Sequence, residues 1–178
     1  MTRLRPCLLC CALLLAGLAR AAEPGAATPR SVAILEFELI DDMREYESAE
    51  VLDAQSRRLV QISDALRQEL AQRGLYRVVD DGPAHDLITG FKARQELREC
   101  NGCEVEIGKA LGADVVIIGW VQKVSNLILN INVLARDVAT GATLYARSVD
   151  LRSNTDASWL RGIHYMVDGI AEDKDYLR

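Results

Sequence analysis

Apolar and polar positions alternate along the chain in blocks of two different periods, and these blocks predict its elements. Residues 31–39 (SVAILEFEL) begin as an unbroken apolar run and end in alternation, which fits a largely buried strand. Residues 41–50 are acidic and patternless, so a loop is expected. From 53 to 73, Leu59, Ile62, Leu66 and Leu70 recur three, four and four apart, placing one apolar stripe along a helix. Gly74 stands where a left-handed cap belongs, with Leu75 able to close over the last turn. Residues 76–79 (YRVV) read as a short strand. Asp86 is expected to cap a weaker helix through residue 97, with Leu87 and Phe91 inward. Cys100 to Cys103 (CNGC) form a tight turn, and residues 104–111 form a short helix ended by Gly112.

The second half is richer in strands. Residues 115–121 (VVIIGWV) have the continuous apolarity of a central strand. In residues 127–136, Leu127, Leu129, Ile131, Val133 and Ala135 face one way, and Asn130, Asn132 and Arg136 the other. Ile128 and Leu134 are apolar exceptions. Residues 137–141 turn the chain, and residues 144–151 return as the hairpin partner. Thr155 or Asp156 caps a last helix, with a stripe of Trp159 or Leu160, Ile163, Val167 and Ile170. Residues 172–178 form an acidic tail expected to fray. The order β-α-β-α-α-β-β-β-α alternates early and meanders late. It predicts an α/β (α+β) domain: a single mixed β-sheet with helices packed against it, over residues 31–171.

The first residues follow another logic. Arg3 and Arg5 precede an apolar run from Cys7 to Ala19, and Ala19-Arg20-Ala21 carries small residues where a signal peptidase reads. Residues 1–21 are therefore expected to be a cleaved signal peptide, with 22–30 a flexible leader and the protein periplasmic. The run is shorter than the roughly 20 residues that span a bilayer, so no stable membrane anchor is expected. Cys10 and Cys11 lie inside it, where a lipidation signal would not place them.

Cleavage changes composition and charge. Arg3, Arg5 and Arg20 leave with the signal, so 18 basic residues face 26 acidic ones, a formal charge of −8. That balance argues against nucleic acid, whose phosphates need a basic footprint. Of five cysteines, Cys100 and Cys103 remain, and an even pair in an oxidising compartment is expected to be bonded. A redox site, with a thiolate stabilised at a helix start, is disfavoured by Glu104 and Glu106 just after the pair. A zinc site needs four ligands, and His85 and His164 are the only histidines to add. A c-type haem needs His where Glu104 stands.

No nucleophile elbow, zincin helix, phosphate loop or dinucleotide fingerprint occurs. No enzyme activity, cofactor or metal is expected. His164 reads as a helix-surface residue, and Asp41, Asp42, Glu45, Glu47 and Glu50 as a solvated loop rather than a cation site. One polar set stands out: Lys123, Asn126, Asn130, Asn132 and Arg136, on or near two adjacent strands. Asparagine is depleted in strands, so these residues mark either a hydrogen-bonded solvated face or a surface for a protein or small ligand.

Four stretches together resemble a known group: VAILEFEL at 32–39, LRQELAQRGLYRVVD at 66–80, ALGADVVIIGWVQKV at 110–124 and LARDVATGATLYARSVDL at 134–151. In that order they are similar to the amino-terminal domain of the Tol translocation protein TolB. They are also similar to related domains of the curli-secretion protein and of lipoprotein activators of penicillin-binding proteins. The CNGCE and KVSNLILNINV segments look like those of a bacterial family of small exported proteins of unknown function. The resemblance implies an envelope protein that binds envelope proteins without catalysis. A lipobox is missing here, and so is the β-propeller that follows in TolB, so TolB's own role is not carried over. The rival readings are a small-molecule binding module and a C-x-x-C thiol–disulfide protein.

Overall fold

The computed structural model describes residues 28–173. The expected signal peptide, most of the leader and the last five residues lie outside that range. The strands are β1 (Ser31–Ile34), β2 (Glu38–Asp41), β3 (Arg77–Val78), β4 (Val115–Lys123), β5 (Leu129–Asp137) and β6 (Thr143–Leu151). The helices are α1 (Ala49–Gln72), α2 (His85–Lys92), α3 (Cys103–Ala110) and α4 (Asp156–Glu172). One mixed sheet runs β3-β1-β4-β5-β6, with β2 also paired to β4. β1 and β2 are parallel to β4, whereas β4, β5 and β6 form an antiparallel meander. The expected fold class and element order are found, except that the first strand is two.

The division of residues 31–39 decides which side chains face which layer. Ile34 pairs with Ile117, and Glu38 with Trp120, so four steps on one strand match three on the other. The extra residue is a bulge. Phe37 leaves the ladder there, and its N–H donates to the Ser63 hydroxyl of α1 at 3.0 Å. A one-residue slip exchanges the two faces of a strand. Before the bulge Val32 and Ile34 face α1 and α4; after it, Phe37 and Leu39 do. Gly119 lies opposite, where any β-carbon would overlap the Phe37 ring.

The sheet is sandwiched unequally. On one side Ile62, Leu66 and Leu70 of α1 and Trp159, Ile163, Met166, Val167 and Ile170 of α4 pack on Ile117, Val121, Ile131 and Val133. On the other, Ile107 of α3, Leu97 and Cys103 pack on Ala33, Leu35, Val116 and Ile118, over β1 and β4. Burying each such large side chain is worth about 1.5–3 kcal/mol, so the two clusters hold the layers together.

Several boundaries differ from the expected ones. α1 starts at Ala49, because the Ser48 hydroxyl accepts the Val51 N–H; the acidic stretch before it contains a 3₁₀ turn, Arg44–Tyr46. Asp86 does not cap α2: it lies in the first turn, after a 3₁₀ turn (Gly82–Ala84). That helix stops at Lys92 rather than 97, since Glu38 binds the N–H groups of Leu97 and Arg98 at 2.6 and 3.3 Å and starts a separate 3₁₀ turn. Thr155 caps α4 in a capping box with Ser158. Arg30, placed in the flexible leader, is tied to Asp137 and to the Asp114 carbonyl. Glu172 belongs to α4, and Asp173 binds Arg147, so the start of the tail is held.

Candidate functional site

The polar set expected on one surface is divided among four environments. Lys123 is no part of a polar surface: it is 5% exposed and points to the α1 side. Its ammonium lies 2.9 Å from Asp41 and also binds Glu47. The post-bulge phase of β2 is what turns Asp41 toward it. Burial alone would lower the Lys123 pKa, but the hydrogen bonds it donates to Glu47 and Asp41 outweigh it and hold the pKa above the ordinary lysine value. Two residues of the acidic loop, Asp41 and Glu47, thus form an internal ion cluster, whereas Asp42, Glu45 and Glu50 are exposed as expected. Arg136 lies on the other side, 2.8 Å from the buried carboxylate of Glu104. Asn130 and Asn132 do share the face away from α1 and α4, opposite Gln122 and Trp120, with the Asn132 amide donating to Asn130 at 2.5 Å. Asn126 sits in the β4–β5 turn, where it accepts a 3.0 Å bond from Asn154.

That turn is the feature the periodicity missed. Leu127 was expected inward at the head of β5, but the strand begins at Leu129 and Leu127 is 69% exposed. Val124 and Ile128 are more than half exposed, as are Met43 and Tyr46 from the loop after β2. Met43, Tyr46 and Val124 line one open cleft above Lys123. Isolated exposed apolar residues are ordinary. Here five of the seven large ones among the described residues gather at one end of the sheet, the arrangement of an interaction site. The signal was present in VSNLI at 124–128, where a Ser-Asn turn pair sits inside an apolar run.

This end is built to hold its shape. The Val124 N–H donates to the Ile128 carbonyl at 3.0 Å, and the Ser125 hydroxyl accepts from Leu127 and Ile128 at 3.2 Å each. Asn154 ties the turn to the helices: its carbonyl accepts from the Trp159 indole at 3.0 Å and from Arg58 at 3.1 Å. The Lys123 cluster fastens the loop after β2 to β4 from below.

The cysteine pair expected to be bonded lies at the start of α3. Cys100 and Cys103 are joined, with α-carbons 5.7 Å apart, just where Gly102 opens α3. Cys100, Cys103 and Glu104 form the one group with metal-ligand spacing among the described residues, and both sulfurs are occupied by their mutual bond. His164 is on the α4 surface, in an ion-pair group with Glu69, Arg73 and Asp168. Among the described residues no helix is long and apolar enough to cross a membrane.

Among curated proteins none matches the chain in sequence. Solved structures do share its fold. The LpoB C-terminal domain from Salmonella enterica aligns at TM-score 0.51 and 14% identity, over 73% of this chain and 87% of that one. Lipoprotein GNA1162 from Neisseria meningitidis aligns at TM-score 0.50 and 15% identity, over 82% and 99%. TolB from Acinetobacter baumannii is also found, at 14% identity and over 79% and 28%, but its TM-score of 0.43 is too low to carry an argument. At these identities the likeness is one of fold, and it is the fold expected from the sequence resemblance. Residues 30–170 match the family DUF3280, described as protein of unknown function (DUF2380), and the chain belongs to that family.

Proposed function

We propose that this protein is an exported, non-enzymatic accessory protein of the cell envelope that acts by protein–protein contact. The observation that carries the reading is the apolar end of the sheet: Met43, Tyr46, Val124, Leu127 and Ile128 stand exposed together on a hydrogen-bonded frame. A rigid apolar patch beside polar groups is what a partner's hot-spot residues need, because little order is lost on binding. The expected signal peptide supplies the compartment, and the partner is an envelope protein. The fold shared with lipoprotein GNA1162 from Neisseria meningitidis is in keeping with that compartment.

A photo-reactive residue at Leu127 in the full chain, expressed in its own cells, tests this. Reproducible adducts with the same envelope protein are expected, and they should vanish when Ile128→Asp and Val124→Asp are added. The double variant changes exposed positions, so its melting temperature should be unchanged. Absence of a reproducible adduct, or adducts that survive both substitutions, refutes the reading.

A further inference from the structure

A second surface lies at the far edge of the sheet. β6 is the terminal strand on its side, nine residues long and paired only with β5. Its outer backbone groups have no strand partner, and a strand of that length is a template for another. Between β6 and α4 runs a cleft of about 200 Å³, lined by Val149, Leu151, Arg152, Arg161, Gly162 and Tyr165. Gly162 brings α4 down onto the sheet: a β-carbon there would sit 2.7 Å from Leu151 and 2.8 Å from Ile131. Tyr165 is 65% exposed along the rim. Arg152 and Arg161 are both exposed, and neither forms an ion pair among the described residues. Asp150 also borders the cleft, so one exposed carboxylate stands against the two guanidinium groups there.

From these features we infer that β6 accepts an added strand: an extended acidic segment of a partner protein. Its backbone pairs with the outer edge, one aliphatic side chain enters the cleft beside α4, and its carboxylates meet Arg152 and Arg161. Strand addition takes its affinity from main-chain hydrogen bonds and its selectivity from alternate side chains. A second copy of this chain fits less well. Antiparallel pairing of β6 with itself about Arg147 would set two guanidinium groups opposite each other, and like charges across a strand pair repel. Arg147 is already committed to Asp173 at 2.8 Å, which leaves Arg152 and Arg161 as the free cations of this edge.

The test uses ¹⁵N-labelled protein purified from cells expressing the full chain. The probe is an acetylated nine-residue peptide of alternating valine and glutamate. Saturable shifts are expected at the β6 amides and at Gly162 and Tyr165, with β6 amide exchange slowed at least tenfold. Arg152→Glu with Arg161→Glu should weaken binding at least tenfold without altering the melting temperature. A peptide with proline at alternate positions loses the N–H groups of one of its edges and should bind at least tenfold more weakly. The inference is overturned if the peptide leaves β6 unshifted at millimolar concentration, or if the proline peptide binds equally. It is also overturned if β6 amides become protected with protein concentration alone, the mark of self-pairing. The Val124→Asp/Ile128→Asp variant should keep peptide binding, so failure at this edge and failure of the apolar end are read separately.

Discussion

At the residue scale, Lys123 shows how a charged side chain in a sequence can be misplaced by one face. It follows the apolar run of β4 and reads as a surface residue, yet its side chain is 3% exposed and that of Asp41 is 1%. Removing one partner leaves the other charge buried and uncompensated, which costs about 3–5 kcal/mol. Lys123→Met should therefore lower the unfolding free energy by that amount in guanidinium titrations, and Asp41→Leu added to it should restore part of the loss. Carboxylates at the opposite end of the sheet contribute to the response to acid. Hydrogen bonds from the Ser31 hydroxyl and N–H, with Arg30 and Arg77 near, hold Asp114 below the usual carboxylate range. Thr140, then Arg30, does the same for Asp137. A carboxyl whose pKa is depressed in the folded state adds stability that is complete above its unfolded value of about 4. That stability is lost as pH falls through the lower folded value. Melting temperature should thus fall steeply below pH about 4, and Asp114→Asn should lower it near neutrality while flattening the acid loss. No residue pattern announces these pairs, because Ser31 and Asp114 are 83 positions apart.

At the element scale, periodicity placed the helices and most strands, and failed where a distant group sets the boundary. The α4 stripe was legible through Ile163, Val167 and Ile170, whereas the choices of Trp159 over Leu160 and of Thr155 over Asp156 as cap came from the structure. The break in residues 31–39 was written as a phase change, Val32 and Ile34 giving way to Phe37 and Leu39. It reads as a bulge only once β4 supplies the register. Gly119 is the counterpart of that bulge. Gly119→Ala should destabilise the fold by about 1–3 kcal/mol, the usual cost of overpacking, measured by chemical denaturation. Phe37→Leu in the same chain should relieve part of it, because the overlap is with the ring. The shortening of α2 has the same kind of cause: the carboxylate of Glu38, 59 positions from Leu97, takes the N–H groups that a longer helix would have used.

At the scale of the whole molecule, maturation and oxidation are expected to go together. Intact-mass measurement of protein recovered from the envelope should show a chain beginning at Ala22 and two hydrogens lighter than its reduced form. Cys100→Ser with Cys103→Ser should cost about 2 kcal/mol or less, since a four-residue loop has little closure entropy to remove. The mixed sheet, its element order, the absence of familiar catalytic motifs and the expectation of an export signal all rest on local patterns of neighbouring residues. Burial of one face and helix capping act within a few positions, so the chain displays them openly. The strand order, the face on which Lys123 lands, the scattering of the asparagines and the apolar end and open edge were decided by tertiary packing. Each depends on groups tens of residues apart meeting at one place, and such meetings leave no period in the sequence.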